Sequence, residues 1–161
     1  MRIYGFDEYG GPGVQRFHDA EQPPLREGTV RIRTVAAGVN PADVKVRAGA
    51  RQNGFPVAFP MAMGREACGV VVELGPGVPE RIAVGDRVFG PCAAGTGALG
   101  ETSLLDAAGA VSVPPGLDPV RAACIPVAVG TAHDAVAELA CGAGDTVLVL
   151  GAGGGVGVHA I

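Results

Sequence analysis

Between Thr29 and Val35, Val30 and Ile32 alternate with Arg31 and Arg33, and a period of two marks a strand that buries one face. Gly28 supplies the turn before it. The same pattern predicts strands around Met1 to Phe6, Ala67 to Leu74, Asp86 to Phe89 and Ser103 to Asp106. Between them stand Gly10-Gly11-Pro12-Gly13, Gly75-Pro76-Gly77 and Pro114-Pro115-Gly116, runs that break strands and make turns. Many short strands with glycine and proline turns predict a barrel-like or sandwich-like domain reaching to about residue 120.

The periodicity then changes. Asp118-Pro119 offers an N-cap and a first helical residue for a helical stretch through Cys124, which Pro126 interrupts. A second helix is predicted from about Val129 to Ala140, ending at Cys141-Gly142, where glycine can take the left-handed cap conformation. Asp145 to Leu150 reads DTVLVL, an apolar run suited to a parallel strand buried on both faces. A glycine loop and a helical start, Val158-His159-Ala160-Ile161, come directly after it.

In that loop the register Ala152-x-Gly154-x-x-Gly157 is a variant of GxGxxG with alanine in first place. Small Ala152 permits a tight turn, Gly154 lets backbone approach a pyrophosphate, and Gly157 lets the helix pack against the strand. Gly155 and Val156, at the helix start, would present N–H groups and the positive dipole end to phosphate. In a chain with 27 glycines the plain alternative is a flexible turn. A strand before the loop and a helix after it favour the dinucleotide reading.

Composition removes several function classes. A net charge of −4 and an absence of Trp leave no basic surface for nucleic acid. No apolar run reaches about 18 residues and the first residues lack a secretory layout, so no membrane span is expected and the expected location is cytoplasmic. Cys68, Cys92, Cys124 and Cys141 lie far apart with no CxxC pair and no nearby His, which predicts reduced, mostly buried cysteines and no zinc site. His18, His133 and His159 are equally scattered and read as surface or packing residues.

Three segments together resemble the medium-chain dehydrogenase/reductase superfamily, in its zinc-free quinone oxidoreductase, zeta-crystallin-like branch. Gly64 to Val71, GREACGVV, resembles that family's GxExxGxV signature, and Val84 to Val88 its VGDRV strand. Pro126 to Val136, PVAVGTAHDAV, stands at the family's separation from VLVLGAGGGVG. The resemblance implies a mainly β GroES-like barrel domain followed by the first strand, glycine loop and helix start of a Rossmann α/β domain. It divides the chain into a substrate domain, 1–125, and the linking helix and start of a dinucleotide-binding domain, 126–161. The chain then reads as an N-terminal portion, expected to be inactive alone and, with an open sheet edge, prone to form a homodimer.

The resemblance also implies chemistry. Zinc-dependent members carry a cysteine ligand and a histidine where this chain has Asn40-Pro41-Ala42-Asp43 and Arg65. Hydride delivery from NADPH, with NADH not excluded, to a quinone or α,β-unsaturated carbonyl needs less help than zinc-type alcohol oxidation. Asn40, Lys45 and Thr131 correspond to residues bordering the nicotinamide. Lys45 can polarise a substrate carbonyl or be a simple surface charge; Asn40 and Thr131 can equally be a helix cap and a helix-start residue. Glu66 occupies the place of an acid behind the zinc in metal-dependent members and is expected to anchor backbone or Arg65. His133 stands where relatives often carry Tyr and has no catalytic part.

Three readings stand: quinone or enone reductase, enoyl-thioester reductase, and a non-catalytic fragment acting by association. All three share the expectation of no zinc. Elemental analysis of the purified protein is expected to find well under one zinc per chain, and one tightly held, chelator-resistant zinc would contradict it.

Overall fold

The computed structural model describes residues 1–50, 52, 54 and 57–161. Strands β1 (Arg2–Phe6) and β3 (Thr29–Gly38) form where alternation predicted them, and β2 (Gln15–Asp19) forms between them without an apolar pattern. Helix α1 (Pro41–Arg47), the short β4 (Met61–Ala62) and β5 (Glu66–Leu74) come next, then β6 (Arg87–Pro91), β7 (Thr102–Asp106) and β8 (Val111–Ser112). They make two antiparallel sheets, one of three strands in the order β2-β1-β4 and one of five in the order β7-β3-β5-β6-β8. The strands at 15–19, 61–62 and 111–112 escaped the pattern because two of them span two residues, and QRFHD carries one large apolar residue, Phe17, left exposed.

β3 and β5 are the central pair. Val30, Ile32, Val71 and Val88 are fully buried and pack with Ile82 and Leu105. Arg31, predicted on the outer face, is buried as well. It lies opposite Glu73 and donates Nε–H to Glu73 Oε2 at 2.6 Å and Nη2–H to the Pro23 carbonyl at 2.8 Å, so a buried guanidinium keeps acceptors. The strands approach closely at Gly69, where a Cβ would stand 2.2 Å from the Arg33 carbonyl oxygen. The register slips between Thr34 and Ala36 at the same point, so Gly69 sits where the ladder is tightest and bent.

Two smaller clusters attach the rest. Phe6, Val46, Met61 and Met63 join the three-stranded sheet to α1, and buried Arg47 reinforces the joint through Gln15 Oε1 at 2.7 Å. Ala122 and Ala123, from and just after α2 (Pro119–Ala122), pack on Cys68 and Phe89 of the large sheet. Asp118 caps α2, accepting from Val120 N–H at 2.8 Å, but the helix stops at Ala122. Pro126 does not break the helical path beyond it. It lies in a π-helical turn, Ile125–Val129, that runs straight into α3 (Gly130–Glu138).

The last part departs most from expectation. Ala140, at φ 49°, takes the left-handed conformation that ends α3, and Gly142 does not. Residues 145–150 form no ladder: a parallel strand exists only through a neighbour, and Leu148 and Leu150 are 82% and 86% exposed. Beyond Gly157 the chain makes one 3-10 turn, Gly157–His159, in place of the expected α-helix, since so short a segment gains too few hydrogen bonds to offset nucleation. Cys68 and Cys92 are buried, whereas Cys124 and Cys141 are exposed, so burial holds for only half of the cysteines.

The close approach of β3 and β5 generates a test. Gly69→Ala is expected to destabilise the fold by about 1–3 kcal/mol or more, because backbone must move to admit the methyl. Gly13→Ala, whose Cβ meets nothing within 4 Å, should be near neutral. Urea unfolding of both variants checks the contrast.

Candidate functional site

Asn40 begins the site. As the residue before Pro41 it takes an extended conformation, φ −124° and ψ 159°, and so stands at the N-cap of α1. Its backbone N–H donates to Asp43 Oδ2 at 2.7 Å, and Asp43 N–H donates to its carbonyl oxygen at 2.9 Å. The cap expected of Asn40 is present, with Asp43 as the reciprocating acid. This leaves the Asn40 side chain turned to another partner.

That partner is Glu66, the first residue of β5. Asn40 Nδ2 donates to Glu66 Oε1 at 2.8 Å, and Val127 N–H, in the π-helical turn, donates to Glu66 Oε2 at 2.7 Å. Glu66 is 2% exposed. Room for it comes from Gly38, its cross-strand neighbour, where a Cβ would lie 2.3 Å from Oε1. Glu66 anchors backbone, as expected, but through Val127 together with Asn40. The sequence marks the acid and not its two donors; Pro126, which removes an N–H beside Val127, and Gly38 were the available signals.

Two buried carboxylates thus share one corner. Burial pushes the Glu66 carboxyl above the usual range, opposed by its bonds from Asn40 and Val127 and reinforced by the charge of Asp43. Burial also pushes Asp43 up, against the bond from Asn40 and the charge of Arg65. Cys92 is pushed up to about 12 by burial, which keeps it a neutral thiol and no nucleophile. Among the described residues no group of three or more His, Cys, Asp or Glu could hold a metal ion.

Lys45 projects from α1 and is exposed. Thr131 is the second residue of α3 and is also exposed, one turn beyond Val127. The structure therefore joins the elements that carry these two residues through the Asn40–Glu66–Val127 link. A separate apolar cleft of roughly 940 Å³, lined by Ile3, Pro23, Val57, Phe59, Met61 and Leu104 among others, includes none of Asn40, Lys45, Glu66 and Thr131.

The glycine loop is folded on itself. Gly154 N–H donates to the Gly151 carbonyl at 2.9 Å and Val158 N–H to the Gly154 carbonyl at 3.0 Å. A Cβ on Gly157 would stand 2.2 Å from the Gly151 oxygen, so this turn closes only without one. Ala152 is half-buried under it, and Gly154, Gly155 and Val156 are exposed. A Cβ on Gly155 would meet nothing within 4 Å, which leaves its backbone open to a ligand.

Comparison with known proteins finds relatives in sequence and in structure. The alcohol dehydrogenase GroES-like domain family matches residues 26–115. The polyketide synthase GfsB of Streptomyces halstedii is 41% identical over 143 residues, covering 88% of this chain and 2% of that protein. The quinone oxidoreductase of Lama guanicoe is 34% identical over 165 residues, covering 99% of this chain and 48% of that one. The solved structure of mycobacterial Rv1454c complexed with NADPH superposes with a TM-score of 0.86 at 36% identity, covering 99% of this chain and 48% of its own. The chain thus spans about half the length of the reductases it matches and a small part of the synthase.

The raised carboxyl of Glu66 has a measurable consequence. A group whose folded pKa exceeds its unfolded value binds more protons when folded, so its contribution favours folding below the ordinary carboxylate value and is lost as pH rises through the raised one. Relative to wild type, the permanently neutral variant Glu66→Gln is therefore expected to gain stability as pH rises across that interval. Urea midpoints of both proteins from acidic to neutral pH check this, and a constant difference would contradict it.

Proposed function

The chain belongs to the alcohol dehydrogenase GroES-like family of the medium-chain dehydrogenase/reductase superfamily, and from that premise we propose that it serves an NADPH-dependent reduction of a quinone or α,β-unsaturated carbonyl without zinc. The observation that supports the reading is the Asn40–Glu66–Val127 link, which commits to hydrogen bonds two residues that the resemblance assigns to the metal corner of zinc-dependent members. Asn40 and Arg65 replace the ligands there, and an already electrophilic acceptor does not require a Lewis acid. NADPH, when bound, supplies the hydride.

The residues divide the remaining work. Ala152, Gly154, Gly155, Val156 and Gly157 hold the pyrophosphate, because a loop without side chains lets phosphate oxygens approach backbone N–H groups. Asn40 and Thr131 border the nicotinamide and orient it toward the substrate. The Lys45 ammonium faces the substrate oxygen and stabilises the charge that develops there as hydride arrives at carbon. The activity is that of a protein in which residues 145–150 have neighbouring strands, acting as a homodimer in the cytoplasm.

A second reading keeps the chemistry and enlarges the substrate. The 41% identity to a polyketide synthase favours an enoyl thioester as acceptor. Titrating the protein with NADPH while following cofactor fluorescence tests the shared step, and NADPH oxidation with a simple quinone, an enone and an enoyl thioester separates the acceptors. Absence of NADPH binding would overturn both readings.

Lys45 provides the specific test. Lys45→Met is expected to lower kcat for an enone by roughly tenfold or more, with NADPH affinity unchanged, since the ammonium acts on charge present only during hydride transfer. Unchanged turnover with chemistry rate-limiting would return Lys45 to the role of a surface charge.

A further inference from the structure

We propose that Glu66 is a positioning residue that locks α1 to the helical segment leading into α3, so that one buried carboxylate sets where Lys45 stands relative to Thr131. The proposal rests on the functional reading for its effect on turnover, but the lock itself is a matter of structure. Asn40 Nδ2 and Val127 N–H are both donors, and two donors cannot bond each other. An acceptor held between them can join these elements. The Glu66 carboxylate supplies one oxygen to each, at 2.8 and 2.7 Å.

Three further features make the lock specific. Val127 comes after Pro126, which has no N–H, so Val127 carries the first backbone donor after the proline. It also lies in the opening turn of a π-helix, where N–H groups lack partners within the helix and need one from outside. Asn40 is held from behind by Asp43, which accepts from its backbone N–H and so places the residue at the start of α1. Gly38 leaves no Cβ at the place where Glu66 must lie, so the carboxylate has room to reach both donors.

The consequences run outward along both helices. Lys45 lies on α1, which Asn40 begins, and Thr131 lies one turn past Val127, on a helix continuous with the π-helical turn. Removing the carboxylate frees the two residues to shift independently. A cofactor bound against one helix and a substrate charge stabilised from the other then lose their common frame, which lowers the rate of hydride transfer more than it weakens binding.

The test compares Glu66→Ala, Glu66→Asp and Glu66→Gln in the intact protein. Aspartate keeps the charge but withdraws the oxygens by one methylene. Glutamine keeps the reach, offering its oxygen to Val127 and its amide to an Asn40 side chain turned to accept. Amide hydrogen exchange at Asp43 and Val127 is expected to quicken together by about tenfold or more in the alanine and aspartate variants, as loss of charge-assisted bonds implies, and to stay near wild type with glutamine. Exchange at Ile32 and Val71 should remain at its wild-type rate. If alanine prevents folding, aspartate decides the question. In the active enzyme, kcat should fall by about tenfold with KM for NADPH nearly constant for aspartate, and glutamine should restore it.

Unchanged exchange at either Asp43 or Val127, or an equal rise at Ile32 and Val71, would overturn the lock. Normal kcat in a variant whose exchange has quickened at both sites would overturn the positioning role. A wild-type protein that reduces neither quinone, enone nor enoyl thioester would overturn the functional reading alone, with the exchange comparison still deciding the lock.

Discussion

The site depends on the pairing of β3 with β5. Their register sets Gly38 opposite Glu66, and that opposition decides whether a carboxylate can lie inside the fold. A register slipped by one residue would turn Glu66 to the other face and set a side chain where Gly38 leaves space. The close contact at Gly69 and the irregularity beside it favour this register, since a side chain at that place would meet the Arg33 carbonyl. Geometry in the middle of a sheet thus controls chemistry at its end.

Burial of Glu66 and Asp43 in one corner runs against the usual preference for exposing acids. Each carboxylate is held by donors and Arg65 contributes its charge near Asp43, yet burial remains the larger influence on both. Removing one partner would leave a buried charge short of hydrogen bonds, which costs more than the bond itself contributed. Such a corner resists piecemeal change. It couples three elements that are distant in sequence: the start of α1, the start of β5 and the turn before α3.

How much of this was legible in the sequence differs by element. Alternation at Val30 and Ile32 marks β3 because both residues enter the core, and Asn40-Pro41 marks the start of α1 because proline fits there and little else does. Arg31 misleads, since its burial is made tolerable by Glu73 and the Pro23 carbonyl, which only the folded chain brings near. Glu66 was recognisable as an acid with a structural task, whereas Val127 as its donor was not, because 61 residues separate them. Ala140 could not be foreseen as the left-handed end of α3, since glycine two residues on is the better candidate by conformation alone. The glycine loop was legible as a tight turn needing small residues, but Gly157 serves closure over Gly151 and not the packing of a helix on a strand, since neither flanking element forms.

The run from Asp145 to Leu150 carries a physical risk of its own. Val147, Leu148 and Leu150 lie open to solvent, with no ladder to occupy the backbone and one acid at the edge of the run. Six residues of high β propensity, low charge and no proline are the composition from which cross-β stacks nucleate. Left unpaired, such a run favours association, whatever the strength of the core. Any neighbour that pairs with this run, within the same polypeptide or beside it, acts as its chaperone as well as its scaffold.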